Sequence, residues 1–354
     1  MSRIFIIGAG CSKNYSQSTT TVPELKCPGD RDFFEMAKKI ITKWPFDPDF
    51  HAPIQSLLED LTEMFGSDQG DPLSVLDMPN LSLEKVMTEI AIRGVLFDKR
   101  AHMYGWEYET RPITAIRMAT FVELISRTLE EALKGPTCEK HKALADQMEM
   151  GDVVLSYNYD LLMDNALREK QKLTDESYKL SFYRTYDGAK WSKPEYSDAS
   201  ISLLKLHGSL NWIRCTICDS MLLLRNQKIG TWSTTIPTQC PKCGEIGFLT
   251  QTMRRVLVPP LLTKDYADPV IKYLWYEAAR ALNNVEEIII IGYSLPPTDF
   301  ASEALLLSGL RQKRKLIPVT IVNPDLSMKN RFSEIFSFKN VTQIETLNEF
   351  LQKT

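Results

Sequence analysis

RIFIIGAGCS occupies residues 3–12. Its apolar run, Ile4 to Ile7, goes without alternation into Gly8, Ala9 and Gly10. A strand with one wet face alternates; a continuous apolar run marks a strand covered on both faces. Two glycines directly after it allow a sharp turn and close approach of backbone to a ligand, with the next helix N-terminus offering N–H donors to phosphate. The G-x-G-x-x-G fingerprint is incomplete, because Lys13 stands where the third glycine falls. An ordinary glycine turn is the competing reading.

Four further runs share this character: DVVLSY (152–157), SLLKL (202–206), EEIIIIGY (286–293) and PVTIVN (318–323). Together they predict a parallel sheet with helices on both sides. In such a sheet the ligand crevice lies beyond the carboxyl ends of the strands. Polar residues collect at just those ends. Tyr157, Asn158 and Asp160 lie at or just past the end of the second run, Gly292, Ser294 and Asp299 at or past that of the fourth, and Asn323 at that of the fifth. Each has a plain reading as a cap or turn residue. Their shared topological position makes them candidates as a set. The third run ends in LLKLHGSLNW (203–212), and its His207 is one of four histidines in the chain. It is a packing residue, a metal ligand or a general acid or base.

At 354 residues the chain exceeds one minimal core. Hydrophobic content of 44% and charged content of 25% fit an ordinary soluble globular protein. A net charge of -3 predicts neither general nucleic-acid binding nor binding to a membrane surface. The N-terminal apolar run is too short for a signal-peptide core, and no run reaches the roughly 18 residues of a membrane span. Between the first two strands, RDFFEMAKKIITKW, IQSLLEDLTEMF, LEKVMTEIAIRGVLF and AIRMATFVELISRTLEEALK carry helical periodicity. They predict a helical insertion. RQKRK (311–315) is a charge run, read as a solvated helix face or a partner contact.

Seven cysteines include two C-x-x-C pairs, Cys215/Cys218 and Cys240/Cys243, separated by 21 residues. Such spacing lets two thiolates meet one metal from a tight turn, and two pairs complete a tetrahedral set that favours zinc. With four thiolates no position remains for water, so the site is expected to be structural. That closure argues against His207 as a ligand. An odd cysteine count with paired spacing also points to the reducing cytoplasm. The predicted architecture is α/β: a Rossmann-like parallel core (1–33, 151–214 and 250–354), a large helical insertion (34–150) and a small four-cysteine zinc ribbon (215–249).

In this order, GAGCS, YNYD, LHGSL, two C-x-x-C pairs, GYSL and VN, the sequence resembles the Sir2 (sirtuin) superfamily. The resemblance covers about residues 1–33 and 151–345. It implies NAD bound by the Rossmann core beside a structural Zn2+. Gly8, Ala9, Gly10 and Ser12 would line the pyrophosphate. Asn158 would contact the nicotinamide ribose, and Asp160 the carboxamide or ribose. His207 would be the general base. Gly292, Ser294 and Asn323 would lie against the phosphates and adenosine ribose. Several features depart from protein-deacylating sirtuins. The loop after GAG is longer, with only Pro23, Arg31 and Phe33 as echoes, and Tyr157 replaces a glutamine. VLVPPLLTKDY stands where the F-G-E-x-L-P acyl-lysine channel motif falls. These features look like the Sir2-like effectors of prokaryotic antiphage defence, which hydrolyse NAD. That branch implies a homo-oligomer depleting cellular NAD+ in abortive infection, with a partner ATPase, helicase or other defence protein as a candidate activator. A protein-lysine deacylase and a non-catalytic NAD or ADP-ribose sensor are the alternatives.

Overall fold

The computed structural model describes residues 2–13, 15, 25–43, 48–66, 71–79, 81–97, 113–195, 201–225, 239–244, 253–259, 266, 268–296, 299–310 and 316–353. All five apolar runs are strands of one sheet: β1 (Arg3–Ile7), β2 (Val153–Ser156), β5 (Ser202–Lys205), β9 (Glu287–Ile291) and β10 (Pro318–Val322). A sixth, β11 (Asn340–Ile344), closes one edge, and the spatial order is β11-β10-β9-β1-β2-β5. Every pairing in this sheet is parallel. β1 lies in the middle; successive strands add first on one side and then on the other. The reversal between β1 and β9 is the switch point where doubly wound sheets open a crevice. β11 escaped the sequence reading because an edge strand needs no continuous apolar run. Its residues NVTQI bury only the last side chain fully.

The helices are α1 (Ala9–Ser12), α2 (Phe33–Lys43), α3 (Pro48–Phe65), α4 (Leu83–Phe97), α5 (Ile113–Ala132), α6 (Glu139–Asp146), α7 (Leu162–Glu169), α8 (Pro269–Asn284), α9 (Phe300–Leu310), α10 (Ser327–Phe336) and α11 (Leu347–Lys353). α6 to α11 contribute to one continuous apolar core with the strands, through residues such as Leu144, Leu167, Leu274, Leu306, Phe332 and Phe350. α2 to α5 instead bury a cluster of their own around Phe33, Phe34, Leu61, Met87 and Phe121. Phe33, an echo of a family loop motif in the sequence, is therefore a core residue, while Arg31 is exposed. Pro23 and the RQKRK run lie outside the described residues.

A second sheet has the order β4-β3-β7-β6-β8, with β3 at Arg184–Tyr186, β4 at Trp191–Ser192, β6 at Gly208–Cys215, β7 at Met221–Leu224 and β8 at Met253–Leu257. β6 begins one residue after His207, so the chain passes from one sheet to the other through Leu206 and His207. Gly208 makes this crossing possible. Its φ is +83°, and a Cβ there would lie 2.0 Å from the Val256 carbonyl oxygen. Trp212, on β6, is fully buried and meets Tyr178 edge to face at 5.5 Å. Among the described residues no helix is long and apolar enough to cross a membrane.

Candidate active site and metal centre

Sheet register decides which strand-end residues can share a site. Ile7 pairs with Ser156 and Ile291, Ser156 with Lys205, and Ile291 with Val322. The next residues, Gly8, Tyr157, Leu206, Gly292 and Asn323, therefore stand at one level of the carboxyl edge. One more hydrogen bond per strand holds them there. Gly8 N donates to Ile291 O (3.0 Å), Tyr157 N to Ile7 O (2.9 Å), Leu206 N to Ser156 O (2.9 Å), Gly292 N to Val322 O (3.0 Å) and Asn323 N to Ile344 O (3.0 Å). At the usual strand spacing, β2 and β10 lie about 14 Å apart. The edge suits an elongated ligand.

The glycine loop differs from the expectation of a phosphate-donating helix. α1 is a single turn. Gly10 N donates to Gly292 O (2.9 Å) and Cys11 N to Gly8 O (2.9 Å), so both amides are committed within the protein. Gly292 sits at φ +61° with an added Cβ only 2.2 Å from Cys11 N, and a Cβ on Gly8 or Gly10 would meet Gly292 in turn. These glycines let two loops at the switch point touch backbone to backbone. Ala9 and Gly10 remain exposed at the edge.

Asn158 is buried and ties β2 to this loop. Its Nδ2 donates to Gly8 O (3.1 Å) and to Ser12 Oγ (3.1 Å). Both amide hydrogens are thus directed at the loop, which leaves Oδ1 as the group able to accept from a ligand. Asp160 takes the plainer part: its Oδ1 accepts from Leu162 N (2.9 Å) at the start of α7. Asn323 also makes a local turn, its Oδ1 accepting from Asp325 N (3.0 Å). Ser294 is exposed beyond β9.

His207 is buried in an aromatic setting. Its ring meets Tyr157 edge to face at 5.1 Å and lies 6.4 Å from Tyr159. Tyr157 stacks on Tyr293 at 4.2 Å with the planes 2° apart. Trp275 on α8 donates from Nε1 to Leu206 O (2.9 Å), fixing the residue before His207.

Sequence reading missed a buried polar network beneath this edge. Lys205, inside the apolar run, is fully buried and pairs with Asp164 at 3.0 Å. Its Nζ also donates to Asp160 O. Asp164 accepts from Tyr178 Oη (2.6 Å), and Ser209 Oγ donates to Asn211 Oδ1 (2.6 Å) on β6. The available signal was the lysine itself, since a charge inside a buried strand requires a buried partner. A second omission is the contact of Cys11 Sγ with His141 Nε2 at 3.5 Å. Burial pushes the Cys11 thiol up and the His141 imidazole down.

The four paired cysteines converge. Their ligand atoms all lie within 4.8 Å of one another, with Cys215–Cys243 and Cys218–Cys240 at 3.7 Å. Tetrahedral zinc with Zn–S bonds near 2.3 Å requires sulfurs about 3.8 Å apart. The donor set fits a structural zinc ion, which would close the loop ends without an open position for chemistry. Between this module and α8 lies a cavity of about 390 Å³ lined by Arg214, Asp219, Arg254, Val258 and Asp268 among others. It lies off the edge that carries Gly8 and Asn158.

No family model matches the chain, and no curated protein matches it. Solved structures do. A structure from work on the mechanism and regulation of Sir2 enzymes is 19% identical, with 66% of this chain and 75% of that one covered and a TM-score of 0.37. A Sir2 homologue–NAD complex is 17% identical over 76% and 83%, with a TM-score of 0.40. A mutant Sir2 homologue bound to ADP-ribose is 14% identical over 99% and 89%, at 0.39. These three are structures of Sir2 proteins.

Proposed function

We propose that the protein is an NAD+ glycohydrolase, converting NAD+ and water to ADP-ribose, nicotinamide and a proton. The observation that carries the reading is Asn158. Its Nδ2 is tied to Gly8 O and Ser12 Oγ, which leaves Oδ1 as its acceptor toward a ligand, and His207 follows the neighbouring strand β5. Cleaving the nicotinamide–ribose bond generates a ribosyl cation and a neutral leaving group, which needs no general acid. What the site supplies is orientation and one proton acceptor. Asn158 Oδ1 accepts from a ribose hydroxyl or from water without adding charge. His207 takes the proton of the attacking water, a role worth about 10²–10⁴ in rate. The exposed Ala9–Gly10 edge and Gly292, Ser294 and Asn323 give the dinucleotide its bed across the strand ends.

Hydrolysis is favoured over deacylation by the sequence that replaces the acyl-lysine channel. Depletion of cellular NAD+ by an oligomer in antiphage defence follows from the motif resemblance and belongs to this proposal. The test is incubation of the purified chain with NAD+, alone and with an acylated peptide. Nicotinamide release independent of peptide is expected, with loss in Asn158→Ala. Peptide-dependent release would assign the chain to deacylation instead.

A further inference from the structure

Asp299 is a buried carboxylate that the reaction does not use. It is held at the start of α9: Ser302 N and Glu303 N donate to its carbonyl at 2.9 and 3.2 Å, and its own N donates to Pro296 O (2.9 Å). A carboxylate at a helix N-terminus is favoured by the dipole, so the anchor is a fixed one. Its Oδ2 accepts from Tyr293 Oη at 2.8 Å. Tyr293 lies flat on Tyr157, and Tyr157 abuts the His207 ring. Leu295, two residues after Tyr293, is held as well: Arg331 donates to its carbonyl. A chain of contacts therefore runs from the N-terminus of α9, across the switch point, to the candidate base on the far strand. A stack on a hydrogen-bonded neighbour favours one ring setting over the others.

We propose that Asp299 and Tyr293 are positioning residues that set the His207 imidazole through the Tyr157 ring. This rests on the reading of His207 as the proton acceptor. It adds that the direction of that acceptor is fixed from the opposite side of the switch point. The stack meets His207 through Tyr157, so an effect of Tyr293 or Asp299 reaches the imidazole along that path. Tyr157 is thereby a connecting element, which accounts for an aromatic ring directly before Asn158.

The test combines two readouts on the intact chain. The first is the set of imidazole resonances of His207 in ¹H–¹⁵N spectra, assigned with His207→Gln. The second is NAD+ turnover, separated into kcat and KM. Tyr293→Leu removes the stack and is expected to move the His207 resonances. It should lower kcat by up to about 10²-fold, the scale of a 1 Å misplacement, with KM within about twofold. Tyr293→Phe keeps the stack and should restore most of kcat. Asp299→Asn preserves volume and covers the case in which Tyr293→Leu fails to fold; it should move the same resonances by less. Unmoved His207 resonances in Tyr293→Leu, or in Asp299→Asn where Tyr293→Leu does not fold, overturn the proposal. Moved resonances in a protein that never cleaves NAD+ support the positioning chain and remove the hydrolase reading, so the two can fail separately.

Discussion

The four-cysteine module and the strand-end crevice are built in opposite ways. The cysteines come as two local pairs, and their sulfurs sit at the spacing a tetrahedral ion demands. The crevice draws on the ends of four strands, β1, β2, β9 and β10, and on the β5–β6 junction, residues up to about 300 positions apart in the chain. Its geometry is fixed by parallel register and by a buried network beneath it, neither of which is local. A site made of short-range spacing can be read before folding; one made of register can be read only as a list of candidates.

The difference is tested first where the effect is largest. Cys240→Ser should abolish stoichiometric zinc in elemental analysis and leave little folded protein, since structural zinc contributes about 10–16 kcal/mol to folding in small metal modules. Retention of zinc and of the thermal transition would separate the module from the metal. Second, Lys205→Met leaves Asp164 buried without its cation, and urea denaturation should show a loss of about 3–5 kcal/mol. The double variant Lys205→Met, Asp164→Leu should recover much of that. If the single variant melts as the wild type does, the network does not hold the crevice floor.

A smaller effect concerns the contact between α5 and β8. Arg255 on β8 pairs with Glu130 on α5 in the interior. Beside them Glu123 is pushed up to about 8, because burial outweighs the opposing charges of Arg255 and Arg127 and adds to that of Glu130. A carboxyl raised in the folded state gives stability that is complete below its unfolded value near 4.5 and is lost as pH rises through 8. Stability should therefore decline across that window, and Glu123→Gln should flatten the decline. An equal slope in both proteins would contradict the assignment.

The parallel sheet was legible in the sequence because each interior strand is a continuous apolar run. The helices of 33–132 were legible through their periodicity. β11 was not, since an edge strand exposes most of its side chains. The second sheet was not, since short strands such as Trp191–Ser192 are defined by their partners. Asn158 and His207 stood out as candidates from their position at strand ends. Lys205 was hidden by its apolar neighbours; Asp299 stood among the strand-end candidates, but nothing local showed that it meets Tyr293. The glycines were identified correctly as special but for an incomplete reason. They serve loop-to-loop packing at the switch point, which depends on the distant Gly292.

The most direct measurement is the yield of nicotinamide and ADP-ribose from NAD+ in the purified, zinc-loaded chain and in His207→Ala. The account predicts equimolar release of both products without any peptide, and its loss in the variant. Equal turnover by His207→Ala, or release only when an acylated peptide is supplied, would contradict it.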